Sequence, residues 1–136
     1  MKSHESTENY LETIFVLGKN EKKVRSIDIV NELGFSKPSV SIAMRNLRAK
    51  GYIEIDGNGY IILTCNGQQI AESIYERHML ISDWLIFLGV ERNIAINDAC
   101  RMEHAMSEQS FVAIKNHVEE CKLNSTLESN FTTCYK

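Results

Sequence analysis

The sequence predicts a mainly α fold, with an N-terminal winged helix-turn-helix followed by an all-helical unit. Three observations predict it. Two helical patterns, at residues 26–33 and 37–50, are separated only by Gly34-Phe35-Ser36, which is helix-turn-helix spacing. Two β-rich runs, Tyr52-Ile53-Glu54-Ile55-Asp56 and Tyr60-Ile61-Ile62-Leu63-Thr64, flank Gly57-Asn58-Gly59, so a hairpin directly follows those helices. The apolar spacing after residue 66 is helical.

Residues 6–17 form the first predicted helix. Leu11, Ile14, Phe15 and Gly18 fall on one face; Asn9, Glu12, Thr13 and Val16 fall on the other. Ser26 is the expected N-cap of the second helix, which carries Ile29, Val30 and Leu33 and ends at Gly34. Ser36 caps the third, whose first turn tolerates Pro38, and Gly51 stops it. Thr64 is the expected cap of a long helix over 66–88, closed by Gly89, with Ile70, Ile74, Ile81, Leu85 and Leu88 as its apolar stripe. Two more helices are predicted near 98–106 and 107–120, and residues 122–136 read as a loosely ordered polar tail. The expected domains are therefore 1–65, 66–121 and the tail 122–136.

Composition narrows the class. Of 136 residues, 43% are hydrophobic and 24% charged, which is globular usage and excludes collagen-like or wholly disordered chains. A chain of this size buries enough surface to need no disulfide staples. The longest apolar run, Trp84-Leu85-Ile86-Phe87-Leu88, falls far short of the ~20 residues of a membrane span. No apolar signal segment follows Met1-Lys2-Ser3-His4-Glu5. A cytoplasmic protein with no membrane partner is expected. Cys65, Cys100, Cys121 and Cys134 make no Cys-x-x-Cys pair, which excludes a zinc ribbon or thioredoxin-type motif. The net charge of -3 excludes a uniformly basic nucleic-acid binder. However, residues 19–50 hold eight bases against three acids, whereas residues 65–136 hold six against ten. A basic first half suits a DNA-facing module.

On the helix over 37–50, Val40, Ala43, Met44 and Leu47 form a core-facing stripe, while Ser41, Ile42, Arg45, Asn46 and Ala49 point outward. That small, polar, basic face fits the major groove of double-stranded DNA. Ser41 and Arg45 are candidates for base edges and Ile42 for a thymine methyl. Ser36, Lys37, Pro38 and Ser39 form the helix start, where hydroxyls, an ammonium and unbonded backbone N–H groups suit phosphates. Lys22, Lys23 and Arg25 offer further backbone contacts. The alternative is a solvated helix face that never meets DNA.

The segment around Ala99-Cys100-Arg101-Met102-Glu103-His104 carries the metal chemistry. Cys100, Glu103 and His104 stand at i, i+3 and i+4 and share an arc of roughly 100°, with Met102, Ala105 and Met106 on a core-like face. Sulfur, carboxylate and imidazole are donors for a first-row divalent ion. His78, at the edge of the long helix's stripe, is a fourth candidate, and Asn9 and Glu12 offer oxygens. Each has a plainer reading alone: a half-buried histidine, solvated polar residues, or a helix surface with one buried cysteine.

Together these motifs resemble the metal-dependent transcriptional repressors of the diphtheria-toxin-repressor type. The resemblance spans about residues 6–120. Its marks are Thr7-Glu8-Asn9-Tyr10-Leu11-Glu12-Thr13-Ile14, Ser36-Lys37-Pro38-Ser39-Val40-Ser41, Leu63-Thr64, Arg77-His78, and the run from Ala99 through His104 to Ala105-Met106-Ser107. It implies a winged helix, a helical dimerisation and metal-binding domain, and binding of a DNA operator by a homodimer, promoted by Fe(II) or Mn(II). Cys100, Glu103 and His104 match the regulatory-site helix, with Cys100 the iron-branch choice where manganese members have Glu. Glu12 and His78 match manganese-branch ligands. Asn9 stands where the iron branch has Met and the manganese branch Asp. Ser82 and Ile96 replace a Glu and a His of the iron branch's second site, and Ile42 replaces a polar residue at the DNA face. The expectation is a metal-responsive repressor of metal-uptake genes and not an enzyme. Residues 84–90 with Phe111, Val112, Ile114 and Val118 are candidates for the dimer core or the monomer core. One rival is a winged-helix regulator sensing oxidants or a small ligand through its cysteines. Another is an enzyme with Cys100 as nucleophile and His104 as base, for which no oxyanion-hole loop is evident.

Overall fold

Helices and one antiparallel hairpin succeed one another in the computed structural model, which describes residues 2–19 and 22–127. In chain order they are α1 (Lys2–Gly18), α2 (Ser26–Leu33), α3 (Lys37–Ala49), β1 (Ile53–Ile55), β2 (Ile61–Leu63), α4 (Cys65–Phe87), α5 (Arg92–Ala105) and α6 (Glu108–Leu127). The mainly α architecture opening on a winged helix is thus the one expected. The chain divides into two compact units, Met1–Tyr75 and Glu76–Lys136, and α4 contributes to both. No helix among the described residues is long and apolar enough to cross a membrane. Residues 128–136, including Cys134 and most of the expected tail, lie outside the described residues.

In the first unit, the apolar stripes of α1, α2 and α3 converge. Leu11, Ile14, Ile29, Val40, Met44 and Leu47 form one buried core with Ile53 and Ile61 of the hairpin and Ala71 of α4. Burying each such aliphatic side chain is worth roughly 1.5–3 kcal/mol. That outweighs anything a hairpin of three-residue strands supplies by itself. The strands pair Ile53 with Leu63 and Ile55 with Ile61, and Val24 adds a bridge to Ile61. Asp56 shapes the wing's tip: its Oδ1 accepts the backbone N–H groups of Asn58 and Tyr60 at 2.8 and 2.9 Å.

Local signals set the ends of the helices. Gly34 ends α2 in the left-handed region, at φ 70°, where its N–H reaches the Val30 carbonyl at 2.9 Å. Ser36 caps α3 by accepting the Ser39 N–H at 3.2 Å. Ser26 is not the cap of α2: Arg25 holds that place, and Ser26 is the first helical residue. The bridge at Val24 keeps the chain extended up to Arg25, and the Asp28 carboxylate accepts the Arg25 N–H at 2.9 Å. At the start of α4, the Thr64 hydroxyl accepts the Gly67 N–H at 3.2 Å and donates to the Gly51 carbonyl at 2.7 Å. Gly67 lies so close to the Tyr52 backbone that a Cβ there would stand 2.0 Å from the Tyr52 oxygen.

The second unit is built from the end of α4 with α5 and α6. α5 begins at Arg92 rather than near residue 98, because the Glu91 carboxylate caps it by accepting the Ile94 N–H at 3.1 Å. Its buried residues are Ala95, Ala99 and Glu103. Ala105, expected on the core face, is exposed, and Met102 and Met106 are half-buried. Phe111 and Val118 of α6 are buried within the single chain and belong to its own core, while Val112 is exposed. α6 runs to Leu127, past the expected end at 120 and into the span assigned to the tail.

Candidate metal centre and DNA-facing helix

α4 and α5 bring three unlike donors together. His78 of α4 and Cys100 and Glu103 of α5 place one ligand atom each within 4.8 Å of one another. His78 Nδ1 lies 3.0 Å from Glu103 Oε2 and 3.7 Å from Cys100 Sγ. His104 stands 3.2 Å from the other carboxylate oxygen, Glu103 Oε1. The Glu103 carboxylate is therefore bracketed by two imidazoles. Glu103 is only 1% exposed, whereas Cys100 is exposed. A carboxylate buried that deeply needs partners to offset its lost hydration.

The charges follow from this geometry. Burial would raise the Glu103 carboxyl, but hydrogen bonds from His104 and His78 overcome it and hold the group below its ordinary value. His78 is pushed up to about 10, first by its contact with Cys100, then by Glu103, against the opposing effect of burial. Without a metal, a proton is favoured on the His78 imidazole between sulfur and carboxylate, and a divalent ion would take its place. Nitrogen, sulfur and oxygen donors around one such point fit a first-row divalent ion.

The other predicted ligands are placed as follows. Asn9 and Glu12 lie one turn apart on α1, in the first unit, both half-buried; the Asn9 carbonyl accepts the Thr13 hydroxyl at 2.8 Å. Ser82 is buried and donates its hydroxyl to the His78 carbonyl at 2.7 Å. Ile96 is half-buried. The sequence reading missed the part played by Arg77. Its Nη1 donates to the carbonyls of Glu103, at 3.3 Å, and Met106, at 2.7 Å, at the end of α5. The available signal was an arginine midway along an apolar helix, where an unpaired charge is costly.

On α3, the predicted DNA-facing residues Ser36, Lys37, Pro38, Ser39, Ser41, Ile42 and Arg45 are all exposed. Ile42 is 55% exposed, an apolar side chain left in water on an otherwise polar face. Beside the wing, Lys23 Nζ and Arg25 Cζ lie 4.9 and 4.5 Å from the centre of the Tyr60 ring.

The cysteines differ in access. Cys65 and Cys100 are exposed and Cys121 is buried, with its sulfur 3.8 Å from His117 Nε2. Iodoacetamide followed by peptide mass spectrometry is expected to label Cys65 and Cys100 well before Cys121. A Cys100 that reacts as slowly as Cys121 would contradict the open edge of the centre.

A winged helix with an exposed small and basic face, followed in the chain by helices bearing a His-Cys-Glu cluster, is the make-up of a metal-responsive DNA-binding regulator. Residues 2–60 match the N-terminal DNA binding domain of the iron dependent repressor, and residues 64–127 match its metal binding and dimerisation domain. The chain belongs to the iron dependent repressor family. It is 33% identical over 111 residues to the transcriptional regulator MntR of Escherichia coli O157:H7, covering 82% of this chain and 72% of that one. Among solved structures it is similar to the manganese regulator SloR, with 25% identity, a TM-score of 0.74, and coverage of 83% of this chain and 53% of that one. A manganese-dependent transcriptional repressor in complex with manganese gives 25% identity and a TM-score of 0.75, covering 81% and 51%. This chain spans about half the length of those two structures. The family is one of transcriptional regulators rather than enzymes, and both of those solved structures are named for manganese.

Proposed function

We propose that this chain is a cytoplasmic, metal-responsive transcriptional repressor that binds a double-stranded DNA operator as a homodimer and controls metal-uptake genes. The observation that carries the reading is the His78-Cys100-Glu103 cluster, within 4.8 Å, in one chain with the exposed face from Ser36 to Arg45. His78, Cys100, Glu103 and His104 are the residues that would hold Fe(II) or Mn(II). On the resemblance alone, Asn9 and Glu12 are further candidate oxygen donors. When bound, the ion would supply positive charge beside the Cys100 sulfur and the buried Glu103 carboxylate. The thiolate favours Fe(II), while carboxylate and amide oxygens favour Mn(II). DNA contact is assigned to residues 1–65, and dimerisation and metal binding to residues 66–121.

On α3, the capped first turn holds Ser36 and Ser39 toward phosphates while Ser41, Ile42 and Arg45 face base edges. The test is a gel-shift titration on an operator selected from random duplexes, using chelator-stripped protein with and without Fe(II) or Mn(II). Metal-stimulated binding is expected, and equal binding in both arms would overturn the proposal. On the same operator, Arg45→Ala is expected to weaken binding about tenfold in fluorescence anisotropy. Equal affinity would remove Arg45 from the interface.

A further inference from the structure

We propose that Arg77 is a positioning residue for the metal centre, an inference that rests on the metal-responsive reading above. Arg77 and His78 are consecutive on α4, so their side chains leave the helix about 100° apart. Both reach the same final turn of α5. His78 meets the Glu103 carboxylate, and Arg77 meets the backbone of that turn through the Glu103 and Met106 carbonyls. The Glu103 carbonyl belongs to the last turn of α5 and the Met106 carbonyl to its C-cap, at the helix end where acceptors lack intrahelical partners and a cation is favoured. The guanidinium also pairs with Glu108 in the first turn of α6 and stacks 5.0 Å from the Phe111 ring centre. One planar fork therefore fixes the end of α5, the start of α6 and the segment of α4 that bears His78.

Simple attachment of helix to helix does not require this. The more exposed pair Lys115–Glu76 already joins α6 to α4. Burying a guanidinium is costly unless its donors are met; Arg77 is 9% exposed, with both Nη atoms hydrogen-bonded and Nε without a partner among the described residues. The fork is placed where α5 carries Cys100, Glu103 and His104, and its bonds fix how far along α4 that turn sits. Shifting the turn would separate His78 Nδ1 from Glu103 Oε2, now 3.0 Å apart. A lysine cannot substitute, because an ammonium is a point charge on a flexible stem and does not reproduce the planar fork.

The test is Co(II) titration of the chelator-stripped full chain, followed by absorption spectroscopy and paired with thermal melts. Arg77→Lys is expected to weaken Co(II) binding by about 10- to 100-fold and to alter the Co(II) spectrum. Val118→Ala, a buried truncation elsewhere in α6, should lower the melting temperature yet leave Co(II) affinity and spectrum as in wild type. Glu108→Gln loosens the fork at a side chain that is 72% exposed, so it should cost little stability, and it should weaken Co(II) about threefold. Wild-type Co(II) affinity and spectrum in Arg77→Lys would overturn the proposal. So would an equal loss in Val118→Ala or, should Arg77→Lys fail to fold, an unchanged Glu108→Gln. No Co(II) uptake by wild type would overturn the metal reading itself, and this inference with it.

Discussion

Glu103→Gln is expected to erase metal-stimulated DNA binding while leaving the helices in place. The substitution keeps the volume of a side chain that is 1% exposed but removes the charge that draws His78 and His104 to one point. Gel shifts across a Mn(II) or Fe(II) series should show no response, with the circular dichroism of wild type. Retained stimulation would remove Glu103 from the centre. The same variant tests the electrostatics in metal-stripped protein. His78 is raised from 6.5 to about 10 by Cys100 and Glu103, so its contribution to stability is fully present below pH 6.5 and is lost as pH rises toward about 10. Melts of the wild type should therefore fall across that window, and Glu103→Gln should flatten the fall. An identical slope in both proteins would show that the pair does not couple to folding.

Gly67→Ala is expected to be the most destabilising single-methyl addition in the DNA-binding unit. The new Cβ would sit 2.0 Å from the Tyr52 carbonyl oxygen, which is backbone and cannot rotate away. Either the start of α4 or the strand entry at Tyr52 must move, disturbing the Thr64 bonds to Gly51 and Gly67. Overpacking of this kind costs about 3 kcal/mol, which corresponds to a melting temperature roughly 12–24 °C lower for a unit of this size. Gly57→Ala is the control, since its added Cβ meets nothing within 4 Å and should leave the melt unchanged. A melt of Gly67→Ala within a degree or two of wild type would show that the contact relaxes freely.

What was legible in the sequence was local. Gly34, Ser36, Pro38, the hairpin and the Thr64 cap each act through neighbours within a few residues, so residue type and spacing specify them. Where a longer-range partner decides, the reading shifts. Ser26 looked like the cap of α2, but the Val24–Ile61 bridge holds the preceding chain extended and Asp28 serves Arg25 instead. α5 starts at a glutamate cap, a residue type that seldom signals a helix start. Its buried face is Ala95, Ala99 and Glu103 because the partner of Glu103, His78, lies 25 residues earlier in the chain. Nothing in the period of α5 itself reveals that a carboxylate is what turns inward. The resemblance supplied the pairing of His78 with this turn, but it assigned Arg77 no role.

The exposure of Cys100 beside the buried Glu103 has a kinetic consequence. A chelate sealed on every side releases its guest only when the surrounding protein opens. Here Cys100 faces water, so if the centre holds a metal as proposed, loading and stripping would proceed by exchange at the sulfur without unfolding any helix. Occupancy would then track the surrounding supply as it rises and falls, which suits a gauge rather than a store.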